Sequence, residues 1–181
     1  MSTRRLGSTS ITAMLCFVIA VTIGGQSSAA GVLPHTVRVA APCSTSGLAV
    51  WIQKPPGNAA LGSRYFFLQF TNLSGHTCTL HGAPGVSPVS LRGDRLGAPA
   101  AHGKEHHPAQ VLHNRATVSS LLKITIAAAI GGCRPRLAAG LRVYPPNQVA
   151  SKVVPFPVRA CLQTFMSVSE VEPAREIVEY P

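Results

Sequence analysis

Apolar and polar residues alternate with a period of two along most of this chain, and a helical period is hard to find beyond the first thirty residues. Residues 48–53 (LAVWIQ) form an apolar run closed by Lys54-Pro55-Pro56-Gly57, a strong strand breaker. Residues 64–72 put Phe66, Leu68 and Phe70 on one face and Tyr65, Phe67, Gln69 and Thr71 on the other. Residues 115–126 alternate most cleanly. Ala116, Val118, Leu122, Ile124 and Ile126 share one face, while Thr117, Ser119, Lys123 and Thr125 share the other. Residues 141–144 and 153–161 read as two strands separated by Pro145-Pro146-Asn147, and residues 162–171 as a possible continuation of the sheet. Residues 127–130 are too few for a helix and end at Gly131-Gly132. Residues 92–108 lack apolar periodicity and read as one long polar loop. Short strands divided by fifteen prolines and sixteen glycines predict an all-β chain, an antiparallel sandwich.

The first thirty residues follow another rule. Arg4 and Arg5, the apolar residues 11–23 and Ser28-Ala29-Ala30 have the order of a secretory signal peptide cleaved after Ala30. The uninterrupted apolar stretch is 13 residues, short of the roughly 20 that span a bilayer. Thr-Arg-Arg-Leu-Gly-Ser is a poor twin-arginine motif, and Ala13-Met14-Leu15-Cys16 is too bulky for a lipidation site. The resulting division is a signal peptide (1–30), a linker (31–42), a β-sandwich domain (43–169) and an acidic C-terminal tail (170–181).

Cleavage removes Cys16 and leaves Cys43, Cys78, Cys133 and Cys161. An even set in an exported chain predicts two disulfides, and no pair has the spacing of a zinc knuckle. If residues 48–53 pair antiparallel with 64–72, Cys43 lies near Cys78; a hairpin of 141–144 with 153–161 brings Cys133 towards Cys161. The expected pairing is therefore Cys43–Cys78 and Cys133–Cys161, each closing a loop of about 30–35 residues that contributes roughly 3–4 kcal/mol.

Two stretches, residues 72–85 (NLSGHTCTLHGAPG) and residues 140–146 (GLRVYPP), resemble an exported domain family common in actinobacteria and catalogued as a domain of unknown function. The likeness extends over approximately residues 43–161. It implies a disulfide-bonded, immunoglobulin-like β-sandwich outside the membrane, and it implies no activity and no catalytic residues. The His-rich segment 102–113 and the acidic tail depart from the pattern. Read physically, Gly82 and Gly85 around Pro84 suit a turn that needs positive φ, and Pro145-Pro146 suits a rigid strand exit.

Charge then narrows the function. Sixteen Lys and Arg face six Asp and Glu. Within residues 43–169 the count is twelve basic residues against Asp94 and Glu105, net +10. With so few acids, a hydrolase has only Asp94 and Glu105, aided by a loop histidine, to work with, and both read as solvated loop charges. No Gly-x-Ser-x-Gly elbow is present. His102, His106, His107 and His113 are candidate Zn²⁺ or Cu²⁺ ligands, but their spacing matches no standard site and the expected reading is a solvated loop. Asn72-Leu73-Ser74 is formally a glycosylation sequon and reads as a turn. No cofactor is expected. The sign of the charge fits nucleic acid, but the compartment and the absence of a basic helix or aromatic platform do not. The expectation is an exported, non-catalytic cell-envelope module whose basic surface meets an anionic polymer or lipid head groups.

Overall fold

The computed structural model describes residues 40–174; the expected signal peptide (1–30), residues 31–39 of the expected linker and residues 175–181 of the expected tail lie outside the described residues. The described chain is all-β. Its strands are β1 (Leu48–Gln53), β2 (Ala59–Ala60), β3 (Ser63–Asn72), β4 (Cys78–Leu80), β5 (Gly85–Val89), β6 (Ala101–His102), β7 (Gln110–Leu112), β8 (Thr117–Thr125), β9 (Arg136–Tyr144), β10 (Lys152–Ala160), β11 (Met166–Val168) and β12 (Glu172–Pro173). One sheet runs β1-β3-β8-β11-β6, with β2 beside β3 and β12 beside β8; a second runs β10-β9-β5, and β4 pairs with β7. Every ladder is antiparallel except β11–β6, which is parallel. Among the described residues no helix is long and apolar enough to cross a membrane.

The alternation read from the sequence sets the core of this sandwich. Phe66, Leu68 and Phe70 of β3 and Val118, Leu122 and Ile124 of β8 pack into one buried cluster with Leu141 and Val143 of β9 and Val154 of β10. Each such side chain contributes roughly 1.5–3 kcal/mol by leaving water. The opposite face of the first sheet is less wet than alternation alone implies. Phe67, Gln69 and Ser119 are buried there too. Gln69 Nε2 donates to Gln53 Oε1 at 2.7 Å, and Trp51 Nε1 donates to Thr71 Oγ1 at 3.2 Å.

Both disulfides form as expected, with Cα–Cα distances of 4.9 Å for Cys43–Cys78 and 5.4 Å for Cys133–Cys161. The strand registers place one bridge at each end of the sandwich. Leu48, Asn72 and Thr117 meet at one end through the pairs Leu48–Asn72 and Thr71–Thr117, while Ser63 pairs with Thr125 at the other. Lys152 Nζ donates to Leu48 O, so the start of β10 belongs to the Asn72 end and Arg159 to the Ser63 end.

Three segments differ from the sequence reading. The linker's last residues join the fold: Pro42 bridges Thr79, and Cys43 N–H donates to Thr79 O at 2.9 Å. The segment 92–108 is no free loop. Leu96 N–H donates to Pro88 O at 2.9 Å, Ala98 N–H to Leu162 O at 3.0 Å and Ala100 N–H to Val86 O at 2.8 Å, before β6 pairs with β11. Backbone atoms make all these bonds, so side-chain periodicity could not announce them. Gly97 is the pinch point, with φ of 144° and a position where a Cβ would lie 2.0 Å from Cys161 O. The chain also stays in the fold past Ser169: Val171 N–H donates to Gly82 O at 3.0 Å, and Glu172 pairs with Ser119.

Candidate functional site

The two sequence motifs turn out to be structural. Asn72 is fully buried at the end of β3. Its Nδ2 donates to His76 O at 2.7 Å, Leu112 O at 2.9 Å and, more weakly, His113 O at 3.3 Å. Its Oδ1 accepts from Ser74 N–H at 3.0 Å and from Ser74 Oγ at 2.6 Å. One side chain thereby ties the 72–76 turn to the end of β7, and its amide nitrogen is neither exposed nor free to carry a glycan. Gly82 has the expected positive φ, 96°, but Gly85 does not. Gly85 instead opens β5 opposite Tyr144, where a Cβ would sit 3.4 Å from the Tyr144 Cβ.

In the second motif, Gly140 pairs with Pro155, and a Cβ there would lie 2.5 Å from Val154 O. The missing side chain makes room for a bulge in β10 between Pro155 and Val158. Arg142 Nη2 donates to Gly93 O at 2.8 Å, and Asn147 Nδ2 to His81 O at 3.0 Å.

The candidate histidines and acids do not gather into one site among the described residues. His102 lies on β6, His113 Nδ1 is 3.1 Å from Thr77 Oγ1, and His106 Nδ1 is 3.1 Å from Glu170 Oε1. Among the described residues no group of three or more His, Cys, Asp or Glu is placed to hold a metal ion. Glu170 also accepts from His107 N–H at 2.8 Å. That backbone bond first, and then the His106 ring, hold the Glu170 carboxyl below the usual glutamate range. Asp94 accepts from Ser90 Oγ at 3.2 Å within the turn after β5. It lines a cavity of about 630 Å³ that neither Glu105 nor any histidine reaches.

The basic residues do converge. Arg64 and Arg159 line a cavity of about 300 Å³ at the Ser63 end. Arg92 and Arg136 line the neighbouring 630 Å³ cavity, and Pro157 of the β10 bulge borders both. Asp94 is the one carboxylate on either lining. All four arginines are exposed, and no Lys or Arg forms an ion pair among the described residues. The sequence held a sign of this. Arg64 occupies the same alternating row as Phe66, Leu68 and Phe70, so a cation stands where that row leaves the core.

No curated protein and no solved structure matches the chain. A family model described as a domain of unknown function, DUF4232, matches residues 43–172. Its span begins at Cys43, the first disulfide cysteine, and ends at Glu172 in β12. The chain belongs to the DUF4232 family.

Proposed function

We propose that this chain is an exported, non-catalytic module of the cell envelope that binds an anionic polymer or lipid head group through its basic end. The observation that carries the reading is the sorting of charge by strand register. Arg64, Arg92, Arg136 and Arg159 gather around two adjoining cavities beside a single carboxylate. Unpaired guanidinium groups in a partly apolar setting attract and orient phosphate and carboxylate groups, and they do so with less competition from water than on a flat surface. The signal-like N-terminus, the two disulfides and the likeness to an actinobacterial exported family support the compartment.

The test is co-sedimentation of the oxidised protein with vesicles containing phosphatidylglycerol, and retention on immobilised polyphosphate, across a salt series. Binding at low salt that fades towards 1 M salt is the expected result, since the screening length falls to about 3 Å there. Equal binding to neutral vesicles, or no retention at low salt on either anionic surface, overturns the proposal.

A further inference from the structure

The smaller arginine-lined cavity has a construction that general basicity does not require. It opens between the two sheets where they part at the Ser63 end, with β3 and β8 on one side and β10 on the other. Phe66, Ile124, Ile126, Phe156 and Val158 supply apolar lining, and Arg64 and Arg159 come from opposite sheets. Phe66 is buried in the core, and Phe156 meets it edge-on with ring centroids 4.9 Å apart and planes at 81°. The β10 register shift between Pro155 and Val158 produces the opening. Over those residues β10 departs from regular pairing, so Phe156 and Val158 stay half-buried instead of closing the sandwich. Ile126, at the far end of β8, is left 41% exposed.

An apolar floor with two cations at its rim is complementary to one kind of molecule. We infer that this cavity binds a single-chain anionic amphiphile, its alkyl group between Phe156, Ile126 and Val158 and its phosphate or carboxylate between Arg64 and Arg159. This deepens the reading above and rests on it for the anionic class of ligand, while adding a defined pocket and an apolar requirement. The volume lies at the lower edge of the range for ligand sites, roughly 300–1,000 Å³, which favours one short chain over a two-chain lipid. Arginine suits the head group because its planar fork can bond two oxygens of a phosphate or carboxylate at once. Each buried methylene adds about 0.8 kcal/mol, close to fourfold in affinity, so the tail contributes as much as the charge.

The probe is decyl phosphate below its aggregation threshold, titrated calorimetrically into the oxidised protein, with inorganic phosphate and decanol as head-only and tail-only comparisons. Expected is one-to-one binding, at least tenfold tighter than either comparison. Arg64→Gln and Arg159→Gln should each weaken it by about tenfold, as loss of a charged hydrogen bond implies. Ile126→Asn should weaken decyl phosphate without changing inorganic phosphate. Lys104→Gln, which removes an exposed charge away from the cavity, should change nothing. Melting curves establish that every variant is folded. Decyl phosphate binding no better than inorganic phosphate, or a loss in Lys104→Gln equal to that in Arg64→Gln, overturns the pocket. So does binding that appears only on phosphatidylglycerol vesicles and never with the free amphiphile. Polyphosphate retention measured on the same samples separates the two ideas. Retention without decyl phosphate binding leaves only the basic surface, whereas tight decyl phosphate binding without retention leaves only the pocket.

Discussion

The two ends of the sandwich are held in opposite ways. At one end Asn72 is wholly buried and its amide is saturated by backbone carbonyls, an N–H and a hydroxyl, with Cys43–Cys78 beside it. At the other end Cys133–Cys161 closes the chain beside a bulged strand, an open cavity and unpaired arginines. A closed polar network specifies one arrangement because each missing partner is costly, while exposed arginines around an open cavity keep donors that a ligand can use. One end closes the frame; the other is the end proposed to recognise an anion. On this reading the residues of the two sequence motifs and the candidate ligand residues do not coincide. The Asn72 and Gly140 motifs build the frame, and Arg64 and Arg159 stand outside both.

The largest test of this contrast removes each bridge in turn. Cys43→Ala/Cys78→Ala and Cys133→Ala/Cys161→Ala should each cost about 3–4 kcal/mol in thermal unfolding. Only the second should also change anion binding. Equal effects on binding would break the contrast. Next comes Asn72→Ala, which strands buried carbonyls and the Ser74 donors and should cost about 3 kcal/mol or more, read as a drop in melting temperature. Binding at the far end should survive wherever the protein is folded. Gly97→Ala should destabilise by about 2 kcal/mol or more in denaturant titration, since the new methyl meets Cys161 O.

Arg64→Gln and Arg159→Gln should leave the unfolding free energy within about 0.5 kcal/mol, as expected for exposed side chains without partners. A large destabilisation would make these residues part of the frame after all.

The smallest effect is at Glu170, whose folded-state pKa lies below its ordinary value of 4.5. A depressed carboxylate contributes stability that is complete above that ordinary value and is lost as pH falls through the lower, folded-state value. Amide protection in the 102–113 segment, taken relative to the intrinsic exchange rate at each pH, should therefore fall below about pH 4.5 in the native protein. Glu170→Gln should show the lower protection already at neutral pH and no further acid step of this origin.

Much of this was legible in the residues and some was not. Alternation at 64–72 and 115–126 located β3 and β8 because each has one face in a dry core, and the strand pairing they imply led to both disulfides. β4, β5 and β7 escaped notice. Each has five residues or fewer, and Pro88 inside β5 looks like a turn residue. Pro88 is tolerated because the outer neighbour of β5 is the 94–100 segment rather than a regular strand. The Asn72 network was hidden behind a sequon, since nothing in Asn-Leu-Ser distinguishes an exposed amide from a buried one. The cavity depends on where β10 slips against β9. Two prolines spaced by one residue were the available sign, and Arg64 on a core-facing row was the other.

The margins of the second sheet bear on how copies of this chain meet at high concentration. Both margins carry features that disfavour a further strand. On β10, Pro155 and Pro157 offer no amide hydrogens, with Lys152 and Arg159 at the strand's two ends; on β5, the carbonyls of Val86 and Pro88 are already engaged by Ala100 and Leu96. Unpaired strand margins are the usual template for runaway polymerisation, and prolines and charges are the usual guard against it. Copies of this chain brought together at high concentration are thereby hindered from zipping into fibres through this sheet.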